Sequence, residues 1–341
     1  MSFLQLQQVS VGYFEKKQPV FVQQALNLSA QQGELVALIG TNGCGKSTLL
    51  RSIACLQPLL SGKIVVDNKN ITEITPKQRA RLISVVLTEN MQVASFTVRE
   101  LISIGRDPYT GWLGSLSSED QETIDRAIAM TNLQGFGERN IHELSDGERQ
   151  RVFIARALAQ DTPVILLDEP TSHLDLPNRI NTLLLLQKLA RETGKIILIS
   201  THELETAMQV ADKIWLMRKQ HGVIVGTPED MVLNGDFDTV FKHNSYEFDK
   251  EYGSFVVQKQ LERIVKTSVK NPNGLMARWT TKALSRKGYK ITSEAPVEVV
   301  VDEENKSWKV KHDEVVSEEK DIDGMLQKIA DFYSLQPLTQ D

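Results

Sequence analysis

The chain has 341 residues, 41% apolar and 24% charged, the balance of a soluble globular protein with one large domain and an appendage, or two domains. A formal net charge of −5 leaves no basic excess, so no nucleic-acid partner is expected. No stretch comes near the roughly 18 consecutive apolar residues of a membrane span, and residues 1–10 lack the basic and apolar regions of a signal peptide.

Two cysteines, Cys44 and Cys55, make no disulfide framework, and their positions in a loop and its following helix keep them apart. A cytoplasmic location is expected, with other chains holding the protein at any membrane it serves.

The first 30 residues alternate as strands do, through Phe3, Leu4, Leu6, Val9 and Val11, then Val20, Val22, Leu26 and Leu28. Residues 35–39 form a short apolar run that reads as a buried strand. Residues 48–57 read as a helix ended by Pro58, and 64–67 as a strand turning at Asn68. From Thr97 to Asn132 the pattern is mostly helical, with Val98, Leu101, Ile102 and Ile104 on one face. Ser117 with Asp120 three residues on predicts an N-cap. Residues 147–159 continue helical. Strands at 164–167, 196–199 and 214–217 then alternate with helices at 180–190 and 203–210, the rhythm of a doubly wound parallel sheet.

After about Tyr246 charged residues dominate and the strong apolar runs stop. Helices are expected at 278–287 and 322–333, with a hairpin between 297–301 and 308–310 turning at residues 302–306. The reading is a small α+β appendage. No internal repeat or low-complexity tract is present.

The chemistry starts at Gly40-Thr41-Asn42-Gly43-Cys44-Gly45-Lys46-Ser47, which fits G-x-x-x-x-G-K-S/T between a predicted strand and a predicted helix. Glycines let the backbone curl so that its N–H groups converge on an anion, and the helix start adds its positive dipole end. Lys46 is placed to reach the β- and γ-phosphates of ATP, and Ser47 to bind Mg²⁺; Thr48 continues the loop into the helix. Cys44 holds a free position of the pattern, either as a small residue that fits or as a thiol, its pKa lowered by the helix N-terminus, whose oxidation blocks nucleotide.

The apolar strand 164–167 ends in Asp168-Glu169-Pro170. A strand ending beside the phosphate loop places Asp168 on the Mg²⁺ shell and Glu169 near the γ-phosphate, where it polarises the attacking water.

Leu144-Ser145-Asp146-Gly147-Glu148-Arg149-Gln150 begins 24 residues before Asp168 and resembles the signature of the ABC ATPases, usually L-S-G-G-Q, with Asp146 and Glu148 as departures. Ser145 offers a hydroxyl, Gly147 a bare backbone N–H, and the following helix its positive end. Ser145 and Glu148 are equally a capping box, and both readings hold together. Ser172-His173-Leu174-Asp175 resembles the family's D-loop. His202 resembles its switch histidine. Tyr13 resembles its adenine-stacking aromatic, with a plain strand-edge aromatic as the alternative.

The resemblance covers roughly residues 3–230. It implies a P-loop α/β fold with a RecA-like core, a helical subdomain at about 90–160 and an N-terminal antiparallel β-subdomain, spanning 1–245, followed by the small α+β domain of 246–341. It implies ATP hydrolysis with Glu169 and His202 as catalytic residues. It also implies a head-to-tail dimer in which the phosphate loop of one chain and the signature residues Ser145, Gly147 and Glu148 of the other close on the same nucleotide, with Asp175 also counted as nucleotide-binding. The family usually carries a glutamine where this chain has Thr88-Glu89, and either oxygen could take its place at the metal.

Within the family, residues 96–101 with Gly105-Arg106-Asp107-Pro108-Tyr109 resemble the ATPases of iron-chelate, haem and vitamin B12 importers. That implies separate permease subunits, a substrate-binding protein and a peripheral place on the cytoplasmic membrane face. Exporter and translation-associated ATPases are the alternatives, as is a small-molecule kinase, which has no use for the signature. The 122 residues from Lys46 to Asp168 are too few for the coiled-coil chromosome-maintenance branch. The appendage is either structural and dimer-stabilising or regulatory.

Overall fold

The structure, a computed structural model, describes residues 3–87, 96–111, 115–241, 246–250, 253–257 and 263–334. The chain divides into two compact units, Met1–Lys242 with Phe248–Ser254, and His243–Glu247 with Phe255–Asp341.

The first unit opens with β1 (Leu4–Glu15), β2 (Gln18–Ala30), β3 (Leu35–Gly40), α1 (Lys46–Ile53), β4 (Ser61–Val66), β5 (Lys69–Asn70), α2 (Pro76–Arg79) and β6 (Ile83–Val86). A helical stretch follows: α3 (Val98–Ser103), a 3₁₀ turn at Ile104–Arg106, α4 (Ser118–Met130) and α5 (Asp146–Ala159). Then come β7 (Val164–Asp168), α6 (Leu176–Thr193), β8 (Ile196–Ser200), α7 (Leu204–Val210), β9 (Lys213–Met217), β10 (Val223–Gly226), α8 (Pro228–Asn234) and α9 (Asp236–Phe241).

Two sheets organise this unit. β2, β1, β4 and β5 make an antiparallel sheet. A second sheet runs β10-β9-β3-β8-β7-β6, parallel except for β10. β3, β7 and β8 are buried along their whole length, as strands covered on both faces must be. β1, α1 and β3 share one apolar core through Leu6, Leu49 and Leu38. The strand order brings the C-terminal ends of β3, β8 and β7 together, the edge where open α/β sheets bind ligands.

Two expectations change. The helix read at 48–57 spans Lys46–Ile53 and stops early, because Cys55 turns to a left-handed φ of 55°. Ile104 does not share the buried face of Val98, Leu101 and Ile102; it is 37% exposed. The helix tightens there into the 3₁₀ turn, which has about 3.0 residues per turn, so the apolar stripe rotates off the core. The cap at Ser117 is present as a full capping box with Asp120.

β11 (Tyr246–Asp249) and β12 (Ser254–Val257) pair as a two-stranded ribbon. The second unit continues with β13 (Arg263–Val269), α10 (Leu275–Arg286), β14 (Tyr289–Thr292), β15 (Val297–Asp302), β16 (Ser307–His312), β17 (Val315–Glu319) and α11 (Ile322–Ser334). Its sheet runs β14-β13-β15-β16-β17. β13 is parallel to both neighbours, and β15, β16 and β17 form an antiparallel meander. Val297, Val299 and Val301 of β15 and Trp308 and Val310 of β16 pack with Leu284 of α10 and Leu326 and Ile329 of α11 into a core of their own. The α+β reading of the appendage stands, and the hairpin turns at the expected place.

Candidate functional site

β3 delivers Gly40 from the sheet centre into the phosphate loop, and α1 leaves the loop at Lys46. Gly43 and Gly45 hold φ values of 73° and 106°, which side-chain-bearing residues rarely adopt. A Cβ on Gly45 would lie 2.2 Å from Cγ1 of Val22, and one on Gly40 would lie 2.5 Å from the Met217 carbonyl oxygen. Sterics therefore dictate glycine at both places. Thr41, Asn42 and Gly43 are exposed at the loop rim, and Thr48 is half-buried in the first helical turn.

Lys46 is buried, and its Nζ donates to the carbonyl oxygens of Gly40 (2.9 Å) and Thr41 (3.4 Å). Desolvation lowers its pKa, opposed by the nearby Cys44, Glu169 and Asp168. The ammonium is thus held inside the curl of the loop, where a phosphate would meet it.

The activated-thiol alternative for Cys44 does not survive. Cys44 is buried in the core cluster, and desolvation pushes its thiol up despite the Lys46 charge. Its side chain packs in that cluster as a small residue, and its backbone carbonyl oxygen accepts from Gln23 Nε2 at 3.2 Å.

β7 ends at Asp168, paired in register with Ser200 at the end of β8. Asp168 Oδ1 accepts from Ser47 Oγ at 3.0 Å and from Ser200 Oγ at 2.6 Å. Ser200 Oγ in turn accepts from the Glu169 backbone N–H at 2.9 Å. Glu169 stands at φ 49°, a left-handed conformation that turns its side chain away from the strand line. Its Oε1 lies 2.5 Å from His202 Nε2, and both side chains stay partly open to solvent. Phosphate loop, acid pair and histidine therefore converge on one place.

Ser200 is a site residue that sequence reasoning misses. A serine closing an apolar strand carries no pattern of its own. The available signal is its place two residues before His202, on the strand next to the one bearing Asp168.

The signature residues form a second cluster. Ser145 caps α5, its Oγ accepting from Glu148 N–H at 3.3 Å, while its N–H and O–H both donate to Glu148 Oε2 at 2.8 Å. These bonds hold the Glu148 carboxyl below its usual range, the Ser145 backbone bond contributing most. A Cβ on Gly147 would lie 2.7 Å from Asn178 Oδ1. Asn178 is the residue whose N–H is capped by Asp175 at 3.0 Å, so the starts of α5 and α6 meet. Arg179 Nε donates to the Leu174 carbonyl at 2.6 Å, and its guanidinium lies 3.4 Å from Glu203, next to the histidine. Neither Ser145 nor Glu148 makes a hydrogen bond to the phosphate loop among the described residues.

Tyr13 pairs with Val20 across the β1–β2 hairpin and is 53% exposed, its ring on the surface of the N-terminal sheet. Thr88 and Glu89 lie outside the described residues.

A loop of converging N–H groups and one lysine fits a nucleotide's phosphates. Ser47 Oγ and Asp168 Oδ1 are two hard oxygens of the kind Mg²⁺ takes while keeping water and phosphate as its other ligands.

Fold and site together define a P-loop nucleotide hydrolase with a signature helix. Residues 23–172 match the family model described as ABC transporter, and residues 270–330 the one described as Iron ABC transporter C-terminal domain. An uncharacterized ABC transporter ATP-binding protein of Methanocaldococcus jannaschii, MJ0873, is 36% identical over 252 residues, 74% of this chain and 86% of that one. The petrobactin import ATP-binding protein FpuD of Bacillus anthracis is 42% identical over 207 residues, 61% of this chain and 76% of that one. The iron(3+)-hydroxamate import ATP-binding protein FhuC of Bacillus subtilis is 34% identical over 242 residues, 71% and 88% of the two chains. A dimeric post-hydrolysis structure of the ATP-binding cassette MJ0796 with ADP and Pi aligns at a TM-score of 0.57 and 28% identity, over 66% of this chain and 98% of that one. The chain belongs to the family of ABC transporter ATP-binding proteins and is its ATP-hydrolysing type of subunit.

Proposed function

We propose that this chain energises uptake of an iron chelate through a separate membrane permease fed by a substrate-binding protein. The observation that carries the reading is the split site. Gly40–Ser47, Asp168, Glu169 and His202 stand together, while Ser145, Gly147 and Glu148 form a second, helix-start cluster with no hydrogen bond to the phosphate loop among the described residues. Two copies facing head to tail bring the two clusters onto one ATP, with Asp175 between them. The matched iron-transporter domain at 270–330 and the import roles named for the relatives support the cargo class.

In this reading the loop N–H groups and Lys46 hold the β- and γ-phosphates. Ser47 and Asp168 would hold Mg²⁺, which supplies charge neutralisation when bound. Glu169, swung out by its left-handed backbone, orients and polarises the attacking water. His202, within hydrogen-bond reach of Glu169, holds the γ-phosphate and the Glu169 carboxylate in register. Tyr13 stacks on the base. Among the described residues no helix is long and apolar enough to cross a membrane. A peripheral place on the cytoplasmic face, against the permease, follows from the proposed role.

The test is reconstitution of the chain with its permease in proteoliposomes. ATPase activity rises when a ferric-chelate-loaded binding protein is added on the outside. Activity indifferent to both permease and binding protein sinks the proposal.

A further inference from the structure

A cavity of about 410 Å³ opens between α5, α6 and the end of α4. That is inside the range of roughly 300–1,000 Å³ typical of small-molecule sites. α6 contributes Asn181, Leu184, Leu185 and Lys188, which recur at i, i+3, i+4 and i+7 and so share one face. α5 contributes Arg151. Asn132 enters from just past α4 at a left-handed φ of 57°, which asparagine tolerates better than most residues.

The fold leaves polar groups of this cavity unmet. Arg151 Nε is buried and finds no hydrogen-bond partner among the described residues. Thr182, also in the lining, is 4% exposed, and its hydroxyl makes no hydrogen bond among the described residues either. Buried polar groups are costly without partners, so a ligand that pairs with these two recovers what the fold forgoes. Lys188 has one loose pair, with Glu192 at 3.8 Å, and both of those side chains are more than half exposed. Such a pair is weak and yields easily to a better anion.

The lining itself holds two cations and no acid. A guanidinium and an ammonium together match the charge of about −1.5 to −2 on a phosphate monoester at pH 7. A single carboxylate would leave one cation unmatched. The arginine fork grips phosphate oxygens in pairs, and the lysine adds a point charge. A bare phosphate would fill little of the volume. Leu184, Leu185 and the two asparagine amides line the rest and suit an organic body that carries hydroxyl or ring-nitrogen groups.

We propose that this cavity is a binding site for a small organic phosphate, of the size of a sugar phosphate or a nucleoside monophosphate, held by Arg151, Lys188 and Thr182. No residue of Gly40–Ser47 lines it, so it is separate from the phosphate loop. Its position reaches the signature. Arg151 lies about one turn along α5 from Glu148, and the starts of α5 and α6 meet where Asn178 abuts Gly147. The Glu148 carboxyl is held down first by the Ser145 backbone N–H, and the Arg139 and Arg151 charges add to that. A phosphate on Arg151 offsets one of those charges and ties α5 to α6, so occupancy is felt at the signature cluster.

Calorimetric titration of the full-length Glu169→Gln chain, saturated with Mg-ATP to fill the phosphate loop, tests this. Glucose 6-phosphate and AMP are the probes, and glucose is the uncharged control. At least one of the two phosphates binds with a dissociation constant below about 1 mM, and glucose does not. An Arg151→Gln/Lys188→Gln variant binds it at least about tenfold more weakly. Thr182→Val, which keeps the side-chain shape, weakens it by about threefold or more. Both variants keep native affinity for Mg-ATP, which shows them folded. No binding of either phosphate, or binding that neither variant weakens, overturns the proposal. Capture of phosphatidic-acid vesicles by the native chain but not by the double variant, with no binding of the soluble phosphates, also overturns it, since the occupant is then a lipid headgroup. The titration needs neither permease nor iron chelate, so its failure leaves the import reading standing.

Discussion

Ser200 Oγ joins Asp168 to Glu169: it donates to the Asp168 carboxylate at 2.6 Å and accepts from the Glu169 N–H at 2.9 Å. One buried hydroxyl at the end of β8 thus fixes both acids at the end of β7. Ser200→Ala leaves a buried N–H without its acceptor and a carboxylate short of a donor, a loss of about 1–3 kcal/mol. Urea unfolding should show that destabilisation. The Mg²⁺ concentration for half-maximal ATPase should rise, since Asp168 is no longer held toward Ser47. Unchanged metal dependence would show that Ser200 serves the fold alone.

His202 and Glu169 are the pair on which hydrolysis is expected to turn. His202→Ala should lower kcat by about 10²-fold or more with little change in KM, because in the proposed mechanism the lost contact belongs to the transition state. Glu169→Gln keeps a hydrogen-bonding group beside His202 and removes the charge. It should bind Mg-ATP, fail to hydrolyse it and accumulate as a dimer by light scattering. A monomer under saturating Mg-ATP contradicts the shared site.

Gly45 is where the loop's steric demand is sharpest. Gly45→Ala places a Cβ 2.2 Å from Val22 Cγ1 at a φ of 106°. The conformational cost alone is of order 1–2 kcal/mol, and relief of the clash moves the loop. Affinity for ATP, read by titration calorimetry, should fall at least about tenfold. Gly43→Ala meets no atom within 4 Å and should cost less.

The phosphate loop is legible in the sequence because its glycines answer to backbone geometry directly: Gly43 and Gly45 stand at positive φ. The acid pair is legible because Asp168 and Glu169 close a wholly apolar strand. Ser200 is not, since its role comes from a neighbouring strand, through the register that pairs it with Asp168. Ile104 misleads because periodicity assumes about 3.6 residues per turn and the chain tightens there. In the second unit β13 escapes a sequence reading. Lys266, Thr267 and Ser268 break its apolar pattern, and only its pairing with β14 and β15 makes it an inner strand.

Arg106 and Asp120 bind the helical stretch together. Arg106 Nε lies 2.8 Å from Asp120, its Nη1 donates to the Ala159 carbonyl at 3.0 Å, and its guanidinium sits 4.0 Å from the Tyr109 ring. Both side chains are buried, so Asp120→Asn, which leaves the Arg106 charge without its partner, should cost about 3–5 kcal/mol. Ser117's hydroxyl and backbone N–H, with Arg106 adding to them, lower the Asp120 pKa to about 2. A folded pKa below the unfolded value means stability that is present above the unfolded value of 3.8 and is lost as pH falls through about 2. The gap in urea midpoint between the native chain and Asp120→Asn should therefore be constant near neutral pH and shrink as the acid range from 3.8 toward 2 is crossed. A gap that persists unchanged through that range would mean that the carboxylate's charge is not what holds these helices.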